Sequence, residues 1–346
     1  MTTTLKTNPH RAVDYSESGV KKALEAAGSL EAEVKYDGVR LNLPVFPTGE
    51  TQWLSRESKP LPALTWLDAD GGDIGATKAS DWRWFLKQAG YEGTGLMIDG
   101  EVMVKGVDFN TSSGLIRTKY RDFKNYEFAV GGTPTDRKSR KEPFNLKQGH
   151  IQVVVYGIID LNVILDPKAE GPIHSVTRLK AEAIVPLLQK YFPEIDWVLS
   201  ESHTVFDLES LNSLYEEKRL EGHEGLVVKD PLGKYKRGKK SGMWKMKPSE
   251  EADGHVVRPI WGTEGLANEG LVIGFDVMLE NGMEVSATNI SRALMSEFTE
   301  NVKADPDYYK GWACQITYME ETPDGSLRHP SFDQWRGTED NPTVKI

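Results

Sequence analysis

The hydrophobic positions of the chain follow two different periods. Residues 11–28 carry apolar side chains at helical spacing and predict a helix that ends at Gly28. From Glu31 onward the pattern changes to short apolar runs, which predict strands in "AEVKY", "RLNLPVF", "QWLSR", "GLMIDGEVMV", "IQVVVYGIID" and "GLVVKD". Two further helices are predicted over residues 176–191 and 208–221, and Pro186 is expected to kink or divide the first. The chain is therefore predicted to be of the α+β class.

A change from basic to acidic residues around 248–254 predicts a boundary between two domains, residues 1–248 and 249–346. Two domains suit this length, because a single core seldom grows past about 250–300 residues. Beyond the boundary we expect strands near 256–261 and 271–279, an Asn281-Gly282 hairpin, a helix over 291–302 and two strands around Asp324-Gly325. Four or five strands and one helix in about 95 residues predict a small barrel of the oligonucleotide-binding (OB) type.

Composition limits the class of protein. Hydrophobic residues at 38% and charged residues at 27% describe an ordinary globular chain. We expect no membrane association, since no apolar run approaches a transmembrane span and the N-terminus has no signal-peptide pattern. Cys314 is the only cysteine, which excludes an intramolecular disulfide and a cysteine-built zinc site, and we expect a cytoplasmic protein.

The distribution of charge matters more than its sum. A net charge of -10 argues against a nucleic-acid partner, because phosphates favour a basic surface. The stretch "KYKRGKKSGMWKMK" at residues 234–247 nevertheless has no acid and contains Lys234, Lys236, Arg237, Lys239, Lys240, Lys245 and Lys247. A second basic run, "DRKSRK", covers residues 136–141 in a predicted surface loop. An acidic protein with such local patches can bind a polyanion at one face while the rest of its surface repels it.

Charged residues at or beside the ends of apolar strands form the candidate chemistry. They occur in "KYDGVR" (35–40), "SRESK" (55–59), "LMIDGEVM" (96–103), "EGLVVKD" (224–230) and "WKMKP" (244–248). A lysine can act as a nucleophile once it is deprotonated, carboxylates can bind Mg²⁺, and arginine and lysine can neutralise phosphate charge. An aromatic residue such as Tyr156 can stack on a base. Spacing alone leaves open whether these residues converge.

These motifs, in this order and together with "VVVYGIID" (153–160), resemble the covalent nucleotidyltransferases: DNA ligases, RNA ligases and mRNA capping enzymes. The sequence is most similar to the small ATP-dependent DNA ligases of podovirus-type bacteriophages, and "YKRGKKSG", "TNISRALM" and "YMEETPDGSLRHPSF" extend the resemblance over nearly the whole chain. The resemblance implies an adenylation domain with antiparallel sheets and flanking helices, followed by the OB-fold domain. It implies sealing of nicks in duplex DNA with ATP and a divalent metal such as Mg²⁺, in replication and repair.

The resemblance also implies roles for individual residues. Lys35 would attack the α-phosphate of ATP to form lysyl-AMP, from which AMP passes to the 5'-phosphate at a nick before the 3'-hydroxyl displaces it. The nucleotide would be bound by Glu33, Arg40, Arg56, Glu101, Tyr156, Lys229, Lys245 and Lys247. Glu101 and Glu224 would serve the metal. DNA would be contacted by Lys234, Lys236, Arg237, Lys239 and Lys240.

One motif departs from the family pattern. Ligases of this kind often end in an Arg-x-Asp-Lys motif that orients the leaving pyrophosphate, whereas "WRGTEDNP" offers Arg336 without a lysine in register. The arginine half of that role is expected for Arg336, and the lysine half is left open.

Other functions remain possible from the sequence. An RNA ligase or a capping guanylyltransferase would use the same lysine, and a non-catalytic nucleic-acid-binding protein could keep the fold. NAD⁺ is not the expected donor, because the enzymes that use it carry an extra N-terminal module and a cysteine-built zinc finger. We expect a monomer that acts on nicked duplex DNA in the cytoplasm of a bacterial host.

Overall fold

The computed structural model describes residues 3–68, 77–132, 142–221, 223–247, 250–288, 290, 292–318, 321, 326–327 and 330–345. The chain divides into two compact units, Met1–Met246 and Lys247–Ile346. This division lies two residues before the boundary that the charge pattern predicts. The "DRKSRK" run and the Asp324-Gly325 turn lie outside the described residues.

The described residues of the first unit form ten strands in two sheets. The strands are β1 (His10–Asp14), β2 (Leu30–Lys35), β3 (Val39–Val45), β4 (Leu54–Ser55), β5 (Leu96–Val104), β6 (Ile151–Asp160), β7 (Asp196–Leu199), β8 (Ser202–Val205), β9 (Gly225–Lys229) and β10 (Gly238–Met246). The first sheet has the order β1-β10-β9-β2-β8 and the second the order β4-β3-β5-β6-β7. Pairing is antiparallel except for β1 with β10 and β6 with β7. The predicted antiparallel sheets are thus confirmed, with one parallel pair in each.

Helices flank both sheets. They are α1 (Glu17–Ala27), α2 (Ala79–Ala89), α3 (Phe109–Arg117), α4 (Leu161–Leu165), α5 (His174–Tyr191) and α6 (Leu208–Leu220), with 3₁₀ turns at Pro62–Leu67, Tyr126–Phe128 and Gln148–His150. One hydrophobic core lies against the second sheet and includes residues of α2 and α5. A separate core joins α1 and α6 to the first sheet.

Two sequence predictions about helices were wrong. Residues 11–28 do not form one helix: the chain runs as β1 to Asp14, Ser16 caps the helix by accepting from the Gly19 amide, and α1 begins at Glu17. Pro186 does not divide α5, which continues through it. Pro186 lies on the exposed side of the helix, so water can satisfy the carbonyl that the missing N–H leaves free.

The second unit is a small barrel with one helix. Its elements are β11 (Glu250–Trp261), β12 (Val272–Leu279), β13 (Glu284–Ala287), α7 (Arg292–Ala304), β14 (Ala313–Tyr318) and β15 (Ser331–Trp335). The sheet order is β13-β12-β11-β14-β15 with every pair antiparallel. A bridge between Thr288 and Ser331 brings the two edge strands together, so the sheet closes as an OB-type barrel should. Gly282, at φ 85°, forms the predicted hairpin turn. Within the described part of the chain, no helix is long and apolar enough to span a membrane.

Candidate active site

Strand alternation places the polar residues of the first sheet on one face. Along β2, Leu30 and Ala32 pack into the core, while Glu33 and Lys35 point to the other side. Lys229, at the end of the neighbouring strand β9, places its Nζ 2.7 Å from Oε1 of Glu33. The second carboxylate oxygen of Glu33 accepts a hydrogen bond from the Ser200 hydroxyl at 3.2 Å. Glu33 is therefore buried with both oxygens in use.

The second sheet presents a matching polar face. Val39, Leu41 and Leu43 of β3 enter the core, which leaves Arg40 and Asn42 on the opposite side. Two more residues of that face, Asp99 and Glu101, come from β5, and Tyr156 comes from β6. In the register of the sheet Arg40 lies opposite Glu101 and Asn42 opposite Asp99.

A buried carboxylate fixes Arg40. Asp99 accepts two hydrogen bonds from its guanidinium, from Nε at 2.7 Å and from a terminal nitrogen at 2.8 Å. Asn42 donates to the same carboxylate at 3.0 Å and the Tyr235 hydroxyl at 3.1 Å. Arg40 also donates to the carbonyl of His10 at 3.2 Å. The guanidinium is held by a paired, fully hydrogen-bonded anion, which is the arrangement a buried charge requires.

The two polar faces meet around Tyr156. Nζ of Lys229 lies 5.6 Å from the centroid of its ring, and the Arg40 guanidinium carbon lies 5.2 Å from it. These distances are those of cation–π contacts. The Tyr156 hydroxyl donates to Glu101 at 3.2 Å. Tyr156 thus sits in a cleft between the sheets with a cation from each sheet against its ring.

Lys35 and Glu224 close one end of this cluster. The Lys35 ammonium forms an ion pair with Glu224, which immediately precedes β9. The β2–β9 register aligns Lys35 with Gly225, so the pair follows from the sheet itself. The Lys35 side chain keeps 24% of its surface exposed, whereas Glu224 keeps 7%. A partly accessible amine at the end of a rigid strand is suited to attack a bound substrate.

Glu101 has a strongly perturbed environment. Burial raises its pKa to about 7, although Arg40, Lys35 and the Tyr156 hydroxyl each act in the opposite direction and Glu224 adds to the rise. A buried carboxylate that stays half protonated near neutral pH indicates that the site can take further positive charge. Perturbed carboxylates of this kind are typical of functional sites.

The same carboxylates fit a hard divalent cation. Glu101 and Glu224 are close enough for their charges to interact, and Mg²⁺ is usually held by one or two carboxylates together with water and substrate phosphates. Among the residues that the structure describes, no group of three or more His, Cys, Asp or Glu side chains could hold a metal alone. The donor set therefore suits a metal that arrives with a nucleotide.

The remaining residues predicted to bind nucleotide are Arg56, Lys245 and Lys247. Arg56 is exposed after β4, with Nε 3.4 Å from a Glu57 oxygen. Lys245, on β10, places Nζ 2.9 Å from Asp14. Lys247 is the first residue of the second unit. No contact of Arg56 or Lys245 with the Tyr156 cleft is seen among the described residues, so their roles stay predictions.

The basic stretch at 234–240 is tied to the N-terminal segment. Lys234 forms an ion pair with Glu170, and Nζ of Lys239 lies 3.0 Å from Asp14. The Lys236 amide donates to His10 Nδ1 at 3.2 Å, and the Lys240 carbonyl lies 3.1 Å from Nε2 of the same ring. The ammonium groups of this stretch remain available at the surface.

Arg237 has structural partners within the first unit. Its guanidinium donates to the carbonyls of Ile164 at 3.0 Å, Lys6 at 2.5 Å and Thr7 at 3.1 Å. These bonds attach the basic stretch to two other segments of the unit and leave its charged head committed to protein carbonyls. A DNA contact by Arg237 stays a prediction, and the sequence pattern does not reveal these bonds to carbonyls.

Sequence reasoning missed several residues of the site. Asn42 is two residues from Arg40 on the same strand face, so alternation was a usable signal. Ser200, His10 and Tyr235 reach the site through pairings of distant segments, for which the linear sequence carries no local signal.

In the second unit, Arg336 faces an acid. Its Nε lies 3.2 Å from Oδ1 of Asp253, and Nζ of Lys345 lies 2.8 Å from Oδ2 of the same carboxylate. A lysine thus accompanies Arg336 in space although none stands in the expected register. Its position near the end of the chain explains why the motif pattern missed it.

Comparisons with known proteins give the family. The model of the ATP dependent DNA ligase domain matches residues 11–247, and that of the DNA ligase C-terminal domain matches residues 248–308 and 304–336. The chain is 52% identical to the DNA ligase of Escherichia phage T7, over 99% of both chains. It is 51% identical to the DNA ligase of Enterobacteria phage T3, over 98% of this chain and 99% of the relative.

Solved structures of DNA ligases resemble this chain as well. The ATP-dependent DNA ligase from bacteriophage T7, in a complex with ATP, is 50% identical and superimposes with a TM-score of 0.65, over 96% of this chain and 99% of that one. A structure described as a Lig E DNA ligase shares the fold at 15% identity and a TM-score of 0.56, over 96% and 99%. The chain belongs to the family of ATP-dependent DNA ligases.

Proposed function

We propose that Lys35 is the nucleophile of this ligase. The enzyme uses ATP to seal nicks between a 5'-phosphate and a 3'-hydroxyl in duplex DNA. In the proposed first step the deprotonated Lys35 amine forms a bond to the α-phosphorus of ATP, and the bond to pyrophosphate breaks. AMP then passes to the 5'-phosphate at the nick, and the 3'-hydroxyl displaces AMP as the phosphodiester forms.

The observation that carries this proposal is the position of Lys35. Its amine lies at the end of β2, partly exposed and paired with Glu224, beside a cleft that holds an aromatic ring and several cations. A rigid strand end can present a nucleophile to a bound phosphate with little loss of conformational entropy.

The cleft suggests how the nucleotide is bound. Tyr156 would stack on one side of the purine, and Lys229 would lie over the other side of the purine or near the α-phosphate. Glu33 would accept a hydrogen bond from the adenine amino group. Each Glu33 oxygen already accepts one hydrogen bond, from Lys229 or Ser200, and a carboxylate oxygen can accept a second one from the adenine amino group.

Other charged residues would hold the ribose and the phosphates. Arg40 and Glu101 would contact the ribose. The remaining proposed phosphate contacts are Arg56, Lys245 and Lys247. Arg336 would help to orient the pyrophosphate.

A divalent cation would be held by Glu101 and Glu224. Mg²⁺ fits, because it accepts few protein ligands and completes its shell with water and phosphate oxygens. When bound, it would neutralise charge on the nucleotide phosphates. Burial of Glu101, which raises its pKa to about 7, supports a need for added positive charge.

The partner would be nicked duplex DNA, bound by a monomer in the cytoplasm of a bacterial host. The DNA contacts proposed in the basic stretch are Lys234, Lys236, Lys239 and Lys240. Support comes from the hydrogen bonds that hold this stretch in place while its ammonium groups remain at the surface.

The test is transfer of label from α-labelled ATP. The enzyme is incubated with label and Mg²⁺, separated by denaturing electrophoresis, and chased with nicked duplex DNA. We expect label on the protein that leaves when DNA is added, and none on Lys35→Ala. Lys21→Ala, which changes an exposed lysine of α1, is the matched control and should label normally. Labelling of Lys35→Ala would exclude Lys35 as the nucleophile.

A further inference from the structure

Residues 117–126, "RTKYRDFKNY", form an exposed surface that none of the roles above uses; we call it the aromatic-basic segment. It follows α3 and leads into the 3₁₀ turn at Tyr126–Phe128. Three aromatic side chains in it are unusually exposed: Tyr120 at 54%, Phe123 at 38% and Tyr126 at 42%. Aromatic side chains usually bury most of their surface, so three exposed rings within seven residues indicate an interaction surface.

Cations alternate with these rings. Arg117, Lys119 and Lys124 are exposed and form no ion pair with any residue that the structure describes. Arg121 differs, because it is largely buried and paired with Glu142. The segment therefore offers three unpaired positive charges among three exposed rings, in a protein whose net charge is -10.

The backbone of the segment is fixed. The Phe144 amide donates to the Lys119 carbonyl at 2.9 Å, and the Arg121 amide donates to the Glu142 carbonyl at 2.9 Å. Asn125 is buried, and its side-chain oxygen accepts from the Asp122 amide at 2.8 Å. The rings are thus held in solvent by an ordered backbone, which lowers the entropic cost of binding a partner there.

The segment is connected to the sheet that carries the active site. The Val104 amide, at the end of β5, donates to the Ser112 hydroxyl of α3 at 2.9 Å, and Glu101 lies three residues earlier on β5. From strand and helix rise and the hydrogen bond that joins the two elements, the segment begins within about 25 Å of Glu101. That distance is less than one turn of duplex DNA, which is about 34 Å.

We infer that the aromatic-basic segment contacts the DNA duplex beside the nick, within about one helical turn of it. Arg117, Lys119 and Lys124 bind backbone phosphates, and Tyr120, Phe123 and Tyr126 pack against the adjoining deoxyribose surfaces. The charges select a polyanion, and duplex DNA is the polyanion on which a DNA ligase acts. The inference rests on the proposed DNA partner and adds a second contact surface to the lysines of residues 234–240.

Two variants separate the two kinds of contact. In the charge variant, Arg117, Lys119 and Lys124 are each changed to Gln; in the ring variant, Tyr120, Phe123 and Tyr126 are each changed to Ser. The control changes three exposed lysines elsewhere in the unit to Gln, Lys78, Lys87 and Lys190, so that it has the same net charge as the charge variant. Labelling by ATP, which needs no DNA, reports whether each protein is folded and active.

The measurement is the Kd for nicked duplex DNA at several salt concentrations. For the charge variant we expect a Kd raised on the order of tenfold and a log–log salt slope reduced by about 2 to 3, since each phosphate contact contributes about 0.9. For the ring variant we expect a raised Kd with an unchanged slope, because apolar contacts release no counterions. The control should match the wild type in both quantities.

The length of the duplex on each side of the nick then tests where the aromatic-basic segment binds. Nicked substrates closed by hairpin loops are made with one arm of about 6 base pairs, less than a turn, or with both arms of about 20. Shortening the arm that meets the segment should remove the difference between wild type and charge variant. A charge variant that binds every substrate like the control would overturn the inference, as would a defect that is independent of both arms. If the wild type itself does not bind nicked DNA, the proposed function fails instead.

Discussion

At the scale of single residues, Asp99 is the residue whose hydrogen bonds hold several side chains of the site together. Its buried carboxylate accepts hydrogen bonds from Arg40 and Asn42 of β3 and from Tyr235, which lies far away in the sequence. From the sequence alone, a turn or scaffold role for Asp99 is as plausible as direct catalysis. The structure favours the scaffold role, because Asp99 lies within β5 and fixes Arg40, the residue that would hold the ribose.

Asp99→Asn should therefore affect both stability and ATP binding. Removal of one partner from a buried ion pair leaves an unpaired charge, and we expect the free energy of unfolding to fall by about 3 kcal/mol or more. The KM for ATP in enzyme labelling should rise because Arg40 loses its anchor. Glu182→Gln, which removes the ion pair of the exposed Glu182 with Arg178 on α5, is the control and should cost less than about 1 kcal/mol. Equal urea unfolding curves for the two variants would contradict this view of Asp99.

Tyr156 combines two functions that substitution can separate. Tyr156→Ala removes the ring, and we expect the KM for ATP to rise about tenfold or more, since stacking contributes about 1–3 kcal/mol per base. Tyr156→Phe keeps the ring but removes the hydrogen bond to Glu101. That bond lowers the pKa of Glu101, which burial raises to about 7, so its loss should raise the pKa further.

The expected result for Tyr156→Phe is a shift of the acid limb of enzyme labelling to higher pH. Fewer Glu101 side chains are ionised below pH 7.5 or so once the pKa rises. Initial labelling rates from pH 6 to 8.5, compared with the wild type, measure this. Identical pH profiles would show that ionisation of Glu101 does not control the step.

At the scale of elements, the parallel pairing of β1 with β10 joins residues far apart in sequence. His10 contacts both ends of the segment 236–240, and Gly238 donates to the carbonyls of Asn8 and Pro9 at 3.2 and 3.1 Å. The proposed DNA contacts are thus preorganised by the N-terminal segment. Such long-range pairing explains why residues 11–14 were predicted to be helical, since Ala12 and Val13 fit either period.

Other elements were predictable because their information is local. Alternation within β2, β3 and β5 put Lys35, Arg40 and Glu101 on polar faces, and the strand ends were recognised from apolar runs. That these faces meet at Tyr156 depends on how two sheets pack, which no local pattern encodes.

The ring of His10 predicts a pH dependence of stability. Burial lowers its pKa to about 4, against about 6.5 in the unfolded chain, with Arg40 and Lys236 adding to the effect. As the pH falls below 6.5, His10 is protonated first in the unfolded state. Its contribution to the free energy of unfolding is therefore lost between pH 6.5 and about pH 4, and this residue causes no further loss below pH 4. The loss should approach about 3 kcal/mol. Burial lowers the pKa of the neighbouring His174 to about 2, so His174 acts in the same direction.

Urea unfolding followed by tryptophan fluorescence between pH 7.5 and 4.5 measures this effect. His10→Gln cannot titrate and should show a flatter dependence on pH, while His255→Gln, an exposed histidine of the second unit, should keep the wild-type dependence. A His10→Gln variant that loses stability with pH as steeply as the wild type would show that this ring does not govern it.

At the scale of the whole molecule, DNA binding depends on how an acidic protein distributes its few basic surfaces. Part of the basic stretch is neutralised from within: Asp14 lies 3.0 Å from Nζ of Lys239 and 2.9 Å from Nζ of Lys245. These hydrogen bonds lower the pKa of Asp14 to about 2, and the bond from Lys245 has the largest effect. The carboxylate therefore stays charged at any working pH. The molecule therefore carries an internal anion that pairs with two lysines, Lys239 of the proposed DNA surface and Lys245 of the proposed nucleotide site.

Asp14→Asn should strengthen DNA binding. Lys239 becomes free for a DNA phosphate and one repelling charge is removed, so we expect a lower Kd for nicked duplex DNA and a log–log salt slope steeper by about 1. Glu17→Gln, an exposed acid at the start of α1, makes the same change of net charge and is the control. Its Kd should move much less, because it has no such pair with the basic stretch among the described residues. If both variants shift the Kd and the slope equally, the effect belongs to net charge alone, and Lys239 is not where the DNA backbone binds.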